Sequence, residues 1–211
     1  MTLIELHQVA KVIKHRQLLH QVNAKIDRGN IATLEGINGS GKTLILKALL
    51  GLIAVTGNVT VAGKTVRTQD AYPIKAGILI ENPSLIEDFT AAKNLELLAR
   101  LDPNIHSSQI QDLLTYFNLA RFPKQKVRKF SLGMKQKLGI AEAFLGGYPL
   151  IVLDEPTNAL DHDAIGKLVQ LIHDYHAKGA TFIIASHDHD FVEHVATQKL
   201  LVKEGTISDA H

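Results

Sequence analysis

Gly36, Gly41, Lys42 and Thr43 hold the fixed places of the pattern G-x-x-x-x-G-K-[ST] in Gly36-Ile37-Asn38-Gly39-Ser40-Gly41-Lys42-Thr43. Glycines leave out the Cβ that would keep backbone N–H groups from converging on a phosphate. Asn38, Gly39, Ser40 and Leu44 are expected to complete that cradle. A lysine at this place can reach terminal phosphates, and a threonine hydroxyl can ligate Mg²⁺. A second constellation is Leu150-Ile151-Val152-Leu153-Asp154-Glu155, an apolar run that ends in two carboxylates. Asp154 is expected to hold Mg²⁺ directly or through water, and Glu155 to polarise a water molecule. Alone, the two carboxylates could simply close a strand before Pro156; paired with the phosphate-type loop, they read as a site.

The elements that must position these residues are legible in outline. Asn30 to Glu35 reads as a short strand meeting the first glycine, and Leu44, Leu46, Leu49 and Leu50 place a helix opening near Lys42. Leu3 to Val9 and Leu18 to Ile26 alternate as half-buried strands, and Asn58 to Val66 reads as a hairpin around Gly63. A further strand, Ala76 to Glu81, is ended by Asn82-Pro83. From Thr90 to about Gly146 the pattern turns helical: Asn94 to Arg100, a helix capped by Ser107, and a third capped by Ser131. Leu150 to Asp154 and Ala180 to Ser186 are apolar runs of the buried parallel type, with a helix over Ala164 to Ala177 between them. Asp190 to Ala196 is read as helical, and Lys199 to Val202 as a last strand. Strands alternating with helices imply a parallel sheet covered on both faces, beside a small antiparallel sheet.

Composition sets the bounds. The 211 residues are 45% hydrophobic, enough for one compact unit with a sizeable core. A net charge of +2 without a long basic run does not call for nucleic acid. With no cysteine, neither a disulfide frame nor a thiolate metal site is available. The first seven residues lack a basic start and apolar core, so no signal peptide is expected. The longest apolar stretch is broken by Gly146, Gly147 and Pro149, so no membrane span is expected and transport would need a membrane partner.

Phe130-Ser131-Leu132-Gly133-Met134-Lys135-Gln136-Lys137-Leu138 resembles the L-S-G-G-Q-x-Q-x-L signature of ATP-binding-cassette (ABC) ATPases, just upstream of the Asp154-Glu155 motif as in that family. Pro156-Thr157-Asn158-Ala159-Leu160-Asp161 is similar to the family's D-loop, and Ser186-His187-Asp188 to its switch histidine. The ordered motifs run from Gly36 to His187. The resemblance implies an α/β fold: a P-loop NTPase (RecA-like) parallel-sheet core with a small antiparallel β subdomain and an inserted α-helical subdomain. Its expected division is 1–81 and 149–211 for the core and 82–148 for the helical subdomain carrying the signature. It implies ATP and Mg²⁺ as cofactors, and a head-to-tail dimer, homodimer or heterodimer, with ATP at the seam. Each ATP would lie on one chain's phosphate loop, under Ser131 and Gly133 of the other, with Asp161 acting across the seam. The physics agrees: Ser131 and Gly133 open a helix whose free N–H groups form a second anion site. The resemblance further implies in-line attack of water on the γ-phosphate, with Lys42 and Glu155 catalytic and His187 positioning the water.

Departures from the family pattern narrow the reading. Glu81 stands where most ABC ATPases carry a Q-loop glutamine, and a carboxylate is a stronger Mg²⁺ ligand than an amide. Glu81-Asn82-Pro83-Ser84 and the Ser131-Leu132-Gly133-Met134-Lys135 signature resemble the subgroup that exports bacitracin and lantibiotics in producer self-protection. Ile13, with His15 nearby, takes the place of the aromatic that stacks on adenine, giving up quadrupole-specific stacking. Leu132 and Met134 replace a Gly and a Gln. The function expected is the ATP-hydrolysing subunit of an ABC exporter, cytoplasmic and peripheral on the inner face of the plasma membrane, working through separate transmembrane permease subunits. The alternative is a soluble ABC ATPase acting on ribosomes or nucleic acid, which usually carries tandem cassettes or a long coiled-coil insert. A GTPase would need an Asn-Lys-x-Asp guanine motif, which is not visible. The cluster His187-Asp188-His189-Asp190 with His194 lacks the i, i+4 pair of H-E-x-x-H and is not read as a metal site.

Overall fold

The computed structural model describes residues 1–209. Two sheets organise the chain. The first is antiparallel, in the order β2-β1-β4-β5: β1 (Thr2–Ile13), β2 (Arg16–Asp27), β4 (Thr56–Val61) and β5 (Lys64–Thr65). The second has the order β10-β9-β3-β8-β7-β6: β3 (Ile31–Glu35), β6 (Ala76–Leu79), β7 (Leu150–Asp154), β8 (Thr181–Ser186), β9 (Gln198–Lys203) and β10 (Thr206–Asp209). Neighbours from β9 to β6 are parallel, and β10 returns antiparallel on β9. The helices are α1 (Lys42–Leu49), α2 (Ala91–Ala99), α3 (Ser107–Tyr116), α4 (Leu132–Phe144), α5 (His162–His176) and α6 (His189–Val195). This is the parallel-sheet α/β fold expected, with the antiparallel sheet beside it and α2 to α4 inserted between β6 and β7.

The central strands are apolar along their length because both faces are covered. β7 and β8 are buried at every position. Alternate residues divide between two cores. Ala32, Leu34, Val152, Ile183 and Ala185 join Ile45, Leu46 and Leu49 of α1 and the antiparallel sheet. Ile31, Ile151, Leu153, Phe182 and Ile184 join α4, α5 and α6, in a core that runs on without a break into α2 and α3. Phe144 meets Tyr175 edge-on at 4.9 Å and Phe182 at 5.9 Å, tying α4 to α5 and β8.

Three local features differ from the sequence reading. The first hairpin is longer, with β1 and β2 each of 12 residues. It closes on Lys14 and His15, both at positive φ (46° and 65°), between the paired Ile13 and Arg16. That two-residue turn normally announces itself by Asn-Gly. Lys199 to Val202 is not the last strand: Glu204-Gly205 turns the chain back into β10. The turn also braces the phosphate loop, since the Gly205 N–H donates to the Ser40 carbonyl at 2.8 Å and its carbonyl accepts from the His20 N–H at 2.8 Å. Ser107 lies inside α3, whose cap is His106; the Gln109 side chain reaches back to accept the His106 N–H at 2.7 Å.

Candidate active site

The phosphate-type loop runs from the end of β3 into α1. Close approach dictates its first glycine: a Cβ on Gly36 would stand 2.3 Å from the Val202 carbonyl oxygen of β9. Gly41 caps α1 in a left-handed conformation, φ 112°, so the helix presents its first N–H groups to the loop with no side-chain cap over them. Lys42 then folds back over the loop. Its ammonium, only 5% exposed, donates to the carbonyls of Gly36 at 2.6 Å and Ile37 at 3.2 Å and pairs with Glu155 Oε1 at 3.1 Å. Three acceptors match three donors, which is what lets a charge sit at this depth.

Glu155 is the hub. It follows β7 at φ 47°, a left-handed conformation that is unfavourable for a residue with a Cβ. Its N–H is held by the Ala185 carbonyl at 2.8 Å. Its second carboxylate oxygen accepts from the His187 backbone N–H at 3.3 Å and lies 2.7 Å from His187 Nδ1. Lys42, Glu155 and His187, far apart in sequence, thus form one polar chain.

Beside it, the Thr43 hydroxyl donates to Asp154 Oδ2 at 2.8 Å, and the Glu81 backbone N–H donates to the same oxygen at 3.3 Å. Asp154 Oδ1 is buried with no hydrogen-bond partner among the described residues. Burial pushes the Asp154 carboxyl above its ordinary range, the Thr43 and Glu81 hydrogen bonds oppose that, and the Glu155 charge adds to it. A buried carboxylate oxygen without a partner is costly, and a cation would satisfy it. A carboxylate with a hydroxyl beside it is the hard oxygen set that suits Mg²⁺. The Glu81 carboxylate itself is turned away, to Lys47 Nζ at 2.8 Å. A cavity of about 200 Å³ lies over Gly39, Gly41, Lys42, Thr43, Leu44 and Glu155, and one of about 380 Å³ adjoins it at Gly36, Asn38 and His187. A larger concavity, about 510 Å³, is at the other end of α1 and holds none of these groups.

The remaining candidates lie apart from this cluster. Ser131 caps α4, its hydroxyl accepting the Met134 N–H at 3.2 Å. Gly133 packs where a Cβ would stand 2.6 Å from the Ala159 carbonyl oxygen. Asp161 caps α5 through the Ala164 N–H at 2.8 Å and pairs with Lys137 at 2.9 Å, and those bonds, the lysine's first, lower its pKa. Ile13 is 43% exposed at the tip of the first hairpin. Among the described residues, no hydrogen bond joins Ser131, Gly133 or Asp161 to Lys42, Thr43, Asp154 or Glu155. Gln136 is missing from the sequence reading: its amide donates to the carbonyls of Glu155 at 3.3 Å and Pro156 at 3.2 Å. It pins the turn carrying Glu155 to α4. Its place in the signature was the available signal.

A family model described as ABC transporter matches residues 19–158, which spans the loop, α4 and the Asp154-Glu155 turn. The chain belongs to the ABC transporter ATP-binding family. It is an ATPase of that family, serving transport. It is 37% identical to the uncharacterized ABC transporter ATP-binding protein YybJ of Bacillus subtilis, over 88% of this chain and 85% of the relative. It is 35% identical to the lantibiotic transport ATP-binding protein SrtF of Streptococcus pyogenes, over 97% of this chain and 89% of that one. The bacitracin transport ATP-binding protein BcrA of Bacillus licheniformis is 32% identical, over 98% of this chain and 68% of that longer one. Among solved structures, an ATP-binding subunit of an ABC transporter superposes with a TM-score of 0.88 at 28% identity, covering 97% of this chain and 88% of that one. A dimeric ATP-binding cassette in a post-hydrolysis state with ADP and Pi also superposes at 0.88, with 26% identity and coverage of 97% and 96%.

Proposed function

We propose that this ABC ATPase powers export of a peptide antibiotic of the lantibiotic or bacitracin type, or a similar amphiphile, through separate membrane-embedded permease subunits. The observation that carries this reading is the similarity, over 97–98% of this chain, to transport ATPases named for those two classes. The ATPase would sit on the inner face of the plasma membrane; no described helix is long and apolar enough to cross one. The segment 82–148 would act as the helical subdomain that meets the permease, against a core of 1–81 and 149–211. A ribosome- or nucleic-acid-bound ATPase is disfavoured because the α-helices of the insert run only 9, 10 and 13 residues, too short for a long coiled coil. Co-expression with its permease subunits, identified by co-purification, in a sensitive host tests the substrate class: raised resistance to bacitracin or a lantibiotic is expected, and unchanged sensitivity to both removes it.

The chemistry follows from the cluster. Loop N–H groups and Lys42 bind the phosphates of ATP, whose oxygens replace Glu155 on the Lys42 ammonium. Thr43 and Asp154 would hold Mg²⁺, with Glu81 as a further ligand, and the ion when bound would supply charge neutralisation at the phosphates. Glu155, released from Lys42, polarises the attacking water, and His187 orients it. Ser131 and Gly133 of a second cassette close over the γ-phosphate, with Asp161 at the seam. Ile13 lies against the base. Glu155→Gln should bind ATP and stop turnover; wild-type hydrolysis in that variant would remove Glu155 from this role.

A further inference from the structure

Lys47 stands four residues after Thr43, one turn along the same face of α1. The two side chains meet two neighbouring carboxylates: Thr43 bonds Asp154 and Lys47 bonds Glu81 Oε1, both at 2.8 Å. Glu81 is thereby pulled two ways. Its backbone N–H is fastened to Asp154 Oδ2, while its side chain is drawn off toward α1. Its φ of 57° is disfavoured for a residue with a Cβ, and it lies just past the end of β6, where the chain leaves for α2. We propose that Lys47 is a positioning residue that parks the Glu81 carboxylate away from the Asp154 pocket until a divalent cation enters with nucleotide, whereupon Glu81 exchanges Lys47 for the cation. This rests on the reading of Thr43 and Asp154 as the cation's ligands.

Charge explains why a parking place is needed. Asp154 already has one oxygen buried without a partner among the described residues, and a second carboxylate aimed at that oxygen without a cation would add like-charge repulsion. Lys47 neutralises Glu81 in the interim. A hard dication reverses the preference, because carboxylate oxygen is its favoured ligand. The exchange is sterically open: the Glu81 side chain is 58% exposed. The pair is weak, as exposed ion pairs are, so it biases the carboxylate without locking it.

The test titrates Mg²⁺ against the purified ATPase at a fixed concentration of a fluorescent ATP analogue, and reads nucleotide affinity separately in excess chelator. Lys47→Met keeps the apolar stem and removes the charge. It should lower the Mg²⁺ half-saturation roughly two- to five-fold, the range an exposed ion pair commands, with affinity in chelator unchanged. Lys47→Arg should restore the wild-type value. Glu81→Gln should raise the half-saturation, and adding Lys47→Met to it should do nothing more. A Lys47→Met value equal to wild type, or the same shift with Glu81 already replaced, overturns the role of Lys47. A Glu81→Gln value equal to wild type overturns the exchange altogether, while Asp154→Asn in the same titration reports independently on the cation site.

Discussion

Gln136 should matter more to this ATPase than a neutral side chain outside the nucleotide cavity usually does. Its amide is the hydrogen-bond partner of two successive carbonyls at the turn carrying Glu155, and it is only 6% exposed. In Gln136→Ala the Glu155 carbonyl keeps the Asn158 N–H, but the buried Pro156 carbonyl has no other partner among the described residues. One ordinary hydrogen bond is worth about 1 kcal/mol, and a stranded buried carbonyl about 1–3 kcal/mol. The sum, about 2–4 kcal/mol, corresponds to a fall in Tm of roughly 4–16 °C for a domain of this size. The turn also holds Glu155 at positive φ, so loosening it should let the carboxylate drift from Lys42 and His187. The expectation is a kcat reduced by an order of magnitude or more, with ATP affinity changed little, because Lys42 and the loop N–H groups are untouched. Differential scanning calorimetry with steady-state hydrolysis reads both. A variant within about 1 °C of wild-type Tm, hydrolysing at the wild-type rate, would show that the two bonds hold nothing in place.

Other expectations concern single groups. Lys42→Ala removes a charged donor to the phosphates, so ATP affinity measured by calorimetry should fall roughly 100-fold, the factor a charge-assisted hydrogen bond of about 3 kcal/mol supplies; an unchanged affinity would displace Lys42 from the site. Glu142 on α4 is pushed from an ordinary 4.5 up to about 7 by burial. Its folded pKa lies above its unfolded one, so the stability tied to its protonated form is present below about 4.5 and is lost as pH rises through about 7, at most about 3 kcal/mol. Glu142→Gln should therefore raise Tm at pH 8 and leave it unchanged at pH 4; equal shifts at both would contradict the buried-carboxyl account. Asp161→Ala should lower Tm by roughly 2–4 °C, from the loss of a helix cap worth about 1 kcal/mol.

The phosphate loop and the Asp154-Glu155 strand were legible because their chemistry tolerates few residue types and their strands are buried on both faces, which leaves long apolar runs. His187 was legible by its place after such a strand. The hairpin turn at Lys14-His15 was not, because neither residue carries the glycine or asparagine that pays for positive φ. The final strand hid for a similar reason: Glu204-Gly205 reads as an end, and only contact with the Ser40 loop shows it to be a brace. Ser107 is a good cap residue in isolation, but the Gln109 side chain secures the His106 N–H and moves the helix start. Gln136 and Lys47 needed three dimensions, since the partners of their side chains lie 19 to 34 positions away with no periodicity to mark them.

The central claim is that each hydrolytic site joins the Lys42-Glu155-His187 cluster of one chain to Ser131 of another. Mixing Lys42→Ala with Ser131→Arg protein tests it most directly. Each variant alone should be inactive, and an equimolar mixture should recover about a quarter of the wild-type rate, because half the dimers are mixed and each carries one intact site. Full-rate hydrolysis by Ser131→Arg alone, at a specific activity independent of protein concentration, would contradict the account.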